Sequence, residues 1–277
     1  MKSDISEFSY GYALTEHMIR WQGTMLTGAP IFPNLYEEGQ WGSGYDVKFD
    51  RPGIPLFLQF KLSNYIKSRN AKEFAPDSTR IPLDVPFFRM KLRPTCYSNQ
   101  HPSLLNLEAD GNEVYYAGPA FHLQAELNDA YLTRAVVERS VFFRPRDIGP
   151  LPDSWKHHIA FDPAQDAQFG YLYSEPKKVP ILKPGSFAES VSVALEERGA
   201  QGLGNTYLAH LKQQITEAVG DVATPALEII QELPGYGSIA PAFSEWAENL
   251  WNLRSVAYLA RTFLDCQLIV VQHKESK

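Results

Sequence analysis

The chain has 277 residues, 44% hydrophobic and 13% aromatic, which is ample for a packed core. Its formal net charge of −6 argues against a nonspecific nucleic-acid coat protein, though a local basic stripe can sit on an acidic body. No stretch reaches the roughly 18 to 20 apolar residues of a membrane span, and MKSDISEFSYGY lacks the apolar segment of a signal peptide. Cys96 and Cys266 have no cysteine at metal-ligand spacing and read as reduced core residues. The expectation is a soluble, cytoplasmic globular protein with no membrane partner.

In chain order, residues 5–22 predict a helix, because Tyr10, Leu14, Met18 and Trp21 recur at three- and four-residue spacing. Gly28, Pro30, Pro33 and Gly39 then enforce a loop. Two short strands follow, YDVKF at 45–49 and LFLQFKL at 56–62, joined by the turn chemistry of Asp50-Arg51-Pro52-Gly53. The polar, basic run 65–74 suits a short helix or loop. FFRMKLR at 87–93 alternates apolar and basic residues, as a strand with one solvated face does. Ser103–Glu108 reads as a helical turn or strand and Val114–Tyr116 as a strand, with Asp110-Gly111-Asn112 turning between them. Ala125–Arg139 predicts a helix and SVFFRP a further strand.

Beyond residue 150 the character changes. Pro150, Pro152, Pro163, Pro176, Pro180 and Pro184 punctuate a largely irregular stretch. Helices are expected near 186–198, 204–219, 224–232 and 244–264, and LIVVQ closes the chain as a strand that can return to the first sheet. The fold class is therefore α/β, a mixed central sheet flanked by helices with a mainly helical carboxy-terminal part. A loose division falls between residues 1–150 and 151–277, the second part suiting dimerisation or partner binding.

The informative element is the hairpin. With Asp50 opposite Pro55, antiparallel pairing sets Asp46 opposite Gln59 and Gly44 opposite Lys61, so Asp46, Gln59 and Lys61 share a face. A hard cation such as magnesium wants oxygen ligands. Asp46 offers a charged oxygen, Gln59 a neutral one and Phe60 its backbone carbonyl. Lys61 suits water activation or neutralisation of charge on a reacting phosphate. Glu16, mid-helix, is the candidate for the carboxylate that Gln59 does not supply. Taken singly, Asp46 and Lys61 are more often solvated structural residues. A glutamine and a lysine set in an apolar strand are harder to explain that way, since unpaired burial costs about 1 to 3 kcal/mol.

GYD at 44–46, the thirteen residues from Asp46 to Gln59, and QFK at 59–61 resemble the D…(E/Q)xK core of the PD-(D/E)XK nuclease superfamily. The resemblance spans roughly residues 8–108, and Glu16 matches in order the acidic residue that members carry on a preceding helix. It implies a restriction-endonuclease-like core and a Mg2+- or Mn2+-dependent nuclease acting on DNA in anti-phage defence. It also implies assembly as a homo-oligomer or with a defence-complex partner protein. Glutamine at 59 departs from the commoner acid. That departure keeps open a catalytically inactive nuclease-fold subunit that binds nucleic acid or serves as a scaffold. A helical interaction module supported by the amino-terminal half is a third reading.

Around this core, Ser63, Gln100 and His101 are candidates to contact phosphate or water, with a capping role for Gln100-His101 equally open. Lys67, Arg69, Lys72, Arg89, Lys91 and Arg93 form the most basic local stretch and suit a nucleic-acid backbone. His157-His158 has no second ligand cluster at metal spacing. Residues 199–204, GAQGLG, follow a helical segment instead of a strand and so lack the context of a phosphate loop.

Overall fold

The computed structural model describes residues 1–20, 52–74, 82–151, 156–162, 164, 167–173, 177–199, 202–232 and 245–272. The apolar spacing at the amino terminus becomes helix α1 (Glu7–Arg20), which buries Tyr10, Leu14 and Met18. Strand β1 (Gly53–Phe60) is buried along its whole length. GIPLFLQF is a near-continuous apolar run, which is how a strand covered on both faces reads. Strand order explains this burial. In the four-stranded mixed sheet, β1 lies between β4 (Glu113–Pro119) and β9 (Cys266–Gln272), with β5 (Ser140–Phe143) beyond β4. The closing strand thus joins the first sheet. The sequence reading paired β1 with 45–49; that segment, Asp46 included, lies outside the described residues, and among the described residues the neighbours of β1 are β4 and β9.

At the end of β1 the chain changes sheets. The Lys61 N–H still donates to the Ala117 carbonyl at 2.9 Å. Two residues later β2 (Ser63–Ile66) opens a five-stranded antiparallel sheet of order β2-β3-β6-β7-β8. Its other strands are β3 (Phe87–Lys91), β6 (His158–Phe161), β7 (Phe169–Leu172) and β8 (Lys177–Pro180). The run 65–74 ends strand β2 at Ile66 and then, as expected, continues as loop and a short 3-10 helix at Lys72–Phe74; one other expectation is corrected. The proline-punctuated stretch after 150, expected to be irregular, holds three strands of four residues each. Such strands are too short to show a two-residue period, and Pro180 stands at the end of an edge strand, where a missing N–H is tolerated.

Helix α2 (Gln100–Ala109) leads through Gly111, at φ +91°, into β4; only a residue without Cβ adopts that turn cheaply. Helix α3 (Gln124–Leu132) stops short of the expected Arg139, with Arg134 at φ +58° just beyond it. A short α4 (Pro145–Ile148) is followed by α5 (Pro184–Arg198), α6 (Asn205–Val219), α7 (Ala223–Glu232) and α8 (Glu245–Phe263), all four close to their expected spans. None of the described helices is long and apolar enough to cross a membrane. Cys266 is a core residue of β9, whereas Cys96 is exposed in a loop, contrary to its expected place in the core.

The chain divides into two compact units, and residue 150 falls inside the first. One unit comprises 1–18, 59–105 and 115–189; the other comprises 19–58, 106–114 and 190–277. The first is packed partly around Phe187, which stacks face to face on Phe142 at 4.0 Å and meets Tyr115 edge-on at 5.0 Å. The second is built on α6 against α8, with Leu208, Leu211 and Ile215 of one helix and Leu250, Leu253 and Val256 of the other buried.

Candidate functional site

The described residues of the candidate site belong to the first unit. Phe60 points at α1. A Cβ placed on Gly11 would stand 2.5 Å from the Phe60 ring, and Tyr10 meets that ring edge-on at 6.0 Å. Strand alternation then sends Gln59 and Lys61 together to the opposite side. Both are buried. The Gln59 amide donates to the Phe60 carbonyl at 3.1 Å, and the Lys61 ammonium donates to Oε1 of Gln100 at 3.1 Å. Lys61 and Gln100, 39 residues apart in the chain, are thus brought into contact.

The remaining candidates are placed otherwise. Glu16 lies five positions after Gly11, about 140° around α1 from the side that meets Phe60. It is half-buried, with its carboxylate 3.6 Å from the His17 ring. Asp46 lies outside the described residues. Ser63 is fully buried beside Gly118 and Met90, and its hydroxyl has no hydrogen-bond partner among the described residues. It pairs with Met90 on the face of β2 and β3 opposite Arg89, so it does not offer itself to a phosphate. His101 is a core residue: Nε2 donates to the Gly149 carbonyl and Nδ1 accepts from the Tyr116 hydroxyl, both at 2.8 Å. Burial holds its pKa below the ordinary value, against the pull of the Gly149 bond. With both ring nitrogens engaged, it has none to offer a phosphate or water.

A cavity of about 880 Å³ opens beside Lys61. Its floor is one face of the five-stranded sheet. Lys91 and His158 are directly opposed across β3 and β6, and Arg89 lies two residues along on the same face. Lys67, Lys72, Arg93 and Lys156 stand around it, as does Tyr97. Of the basic stretch read from sequence, all but Arg69 line the cavity; Arg69 pairs with Asp84 at the surface. Compared with family models, curated proteins and solved structures, the chain finds no match. The chemistry of the cavity must therefore be read from its own residues.

On the same sheet face lies Glu73, which the sequence reading missed. Its side chain is wholly buried, and one carboxylate oxygen accepts from Arg89 at 2.9 Å. The same oxygen lies 2.8 Å from Nε2 of His158, at contact distance but off the line of an ideal hydrogen bond. Burial alone would raise this carboxyl, yet the contact with His158, its own backbone N–H and the Arg89 charge outweigh burial and hold it at about 2. His158 itself is pushed down, first by burial and then by the charges of Lys72 and Arg89, against the pull of Glu73. Lys72 is lowered as well, by burial first and by the like charges of Arg89, Lys91 and Lys156. No sequence spacing announces this group, since residues 73, 89 and 158 meet only through the pairing of β3 with β6 and the 3-10 turn laid across them.

The described residues do not by themselves make a magnesium site. Gln59 and the Phe60 carbonyl are neutral donors, and that carbonyl already accepts from the Gln59 amide. Among the described residues there is no group of three or more His, Cys, Asp or Glu that could hold a metal ion. A hard divalent cation held without a carboxylate would be poorly compensated.

Proposed function

We propose that the chain is a nucleic-acid phosphodiester hydrolase of the PD-(D/E)XK type, acting on DNA, with Lys61 and Gln59 in its reactive strip and Asp46 as the carboxylate they require. The observation that supports it is the position of Lys61. The lysine of the QFK motif lines a cavity whose other described basic residues form an anion-attracting wall. An ammonium there can neutralise charge that develops on phosphate oxygens as the ester bond breaks. Dependence on Mg2+ or Mn2+ follows from the family resemblance and rests on Asp46. Glu16 is not needed at the reactive strip in this reading. A role in anti-phage defence, alone or with a partner protein, is analogy with the superfamily.

A second reading has its own support. The Lys61 ammonium is held by Gln100, and the described residues include no carboxylate cluster. Both features suit a nuclease fold that binds nucleic acid without cutting it. Incubating purified protein with plasmid and single-stranded DNA, with and without Mg2+ or Mn2+, separates the two. The expected result is metal-dependent cleavage that Lys61→Ala slows about a hundredfold or more with folding retained. Gln59→Glu should keep activity, since it adds the commoner acid. If wild type and both variants are inert with every metal and substrate, the hydrolase reading gives way to the non-catalytic binder.

A further inference from the structure

Phosphate attraction leaves one feature of the cavity unexplained. Tyr97, on its rim in the loop between β3 and α2, exposes 79% of its surface. A phenol ring held in water beside a cationic wall is a flat apolar surface awaiting cover. We infer that the cavity binds single-stranded nucleic acid, with Tyr97 stacking on one base while Lys91, Arg93 and Lys156 contact the flanking phosphates. The inference rests on the nucleic-acid reading above but not on its hydrolytic step.

Three observations carry it. The first is size. About 880 Å³ lies within the range of about 300 to 1,000 Å³ that accepts a small molecule, so it admits a few nucleotides of one strand. A duplex, whose major groove alone is about 12 Å wide, does not enter such a space. The second is charge. Along the described wall seven Lys and Arg side chains face one carboxylate, that of Glu7, while Glu73 on the same sheet face is taken up by Arg89 and His158. Like charges crowded this closely are relieved by a string of phosphates more than by a single anion. The third is the ring itself. A base–aromatic stack asks nothing of sequence, because every base has a π-face, and cationic grooves with exposed aromatics bind single strands on that principle. A bare polyphosphate would have no use for Tyr97.

The test is fluorescence anisotropy without metal, using a labelled oligothymidylate about 12 nucleotides long, the same length of duplex, and inorganic polyphosphate as competitor. The single strand should bind about tenfold or more tightly than the duplex. Tyr97→Ala should weaken the single strand about tenfold, Tyr97→Phe should restore it, and competition by polyphosphate should be unchanged in both. Lys91→Ala and Lys156→Ala should each lower the slope of log affinity against log salt by about 0.7. All three side chains tested lie at the cavity wall, and Tyr97 is exposed, so loss of folding is excluded by a circular dichroism spectrum alone. Equal or tighter duplex binding overturns the inference, and so does a silent Tyr97→Ala, which would leave an anion site only. If the single strand binds as expected but nothing is cleaved, the hydrolase reading fails and this inference stands. Cleavage with a silent Tyr97→Ala gives the reverse.

Discussion

Two polar regions of the first unit, the end of β1 and the sheet face of β3 and β6, handle their charges in opposite ways. At the end of β1 the polar side chains turn toward one another: Gln59 bonds its own strand and Lys61 bonds Gln100, all three buried. On the sheet face a buried carboxylate, Glu73, draws in Arg89 and His158, and further cations stand around an open cavity. The lesson is about where a motif points. Residue types at the right spacing locate a reactive strip, but the potential an incoming phosphate meets is set by residues distant in sequence that the second sheet collects.

The contrast makes Glu73 the residue on which the open region depends, and its removal the largest expected effect. Glu73→Ala leaves Arg89 and His158 buried or half-buried without their counter-charge, and uncompensated burial of that kind costs about 3 to 5 kcal/mol. Guanidinium unfolding should show a loss toward the lower end, because Arg89 keeps 20% of its side chain in solvent. A loss below about 1 kcal/mol would mean that the group behaves like a surface ion pair and that the two regions do not differ as argued.

Acid should come next. His101 and His158 both have folded pKa values below the ordinary 6.5, each primarily through burial. The unfolded chain therefore takes up protons first as pH falls, so stability declines from about pH 6.5 downward, toward the folded values. Glu73 acts in a lower window. Its folded value of about 2, against an ordinary 4.5, contributes stability that is present above 4.5 and lost as pH falls toward 2. Unfolding midpoints measured from pH 8 to pH 3 should decline in these two stages. In Glu73→Ala the lower stage should shrink, Glu126 being another carboxyl held low, while the histidine stage persists, because His101 lies outside the Glu73 group. A flat profile between pH 8 and 5 would show that neither histidine resists protonation.

How much of this was legible beforehand follows from the range of each interaction. Helices α1 and α5 to α8 announce themselves, since Tyr10, Leu14 and Met18, or Leu208, Leu211 and Ile215, repeat within a single element. Strand β1 was legible as a strand, and its unbroken apolar run also signals burial on both faces, which suits a central strand better than one arm of an isolated hairpin. Strands β6 to β8 were hidden because four residues cannot display a period. At the site, Lys61 and Gln100 were singled out separately, one by motif and one by its place at a helix start, and the fold joined them. The basic stretch was read from composition, and most of it lines the cavity. Glu73, Lys156 and Tyr97 were passed over: a lone acid, a lone lysine and a loop tyrosine carry no signal until β3 and β6 bring their neighbourhoods together. For His101 a phosphate contact and a structural role were equally open, because the partners that place it in the core, Tyr116 and Gly149, are 15 and 48 residues away.

The smallest expected effect is the one most specific to the open region. Lys91 is exposed at the cavity floor, and its charge is one of those that depress Lys72. Lys91→Gln keeps most of the side chain's length and removes the charge. At the end of β1, where cation and acceptor are matched, neutralising Lys61 would cost a hydrogen bond. In the cavity, neutralising Lys91 removes repulsion from Arg89, Lys72 and Lys156 and should raise the melting temperature by about 1 °C at low ionic strength. The gain should disappear near 1 M salt, where the screening length falls to about 3 Å. Added oligothymidylate should reverse the order, stabilising wild type more than the variant, because the bound strand makes use of the charge that the empty cavity merely crowds. A variant less stable than wild type at low salt, with or without oligonucleotide, would show that Lys91 is matched by a partner, and the cavity would then resemble the end of β1 after all.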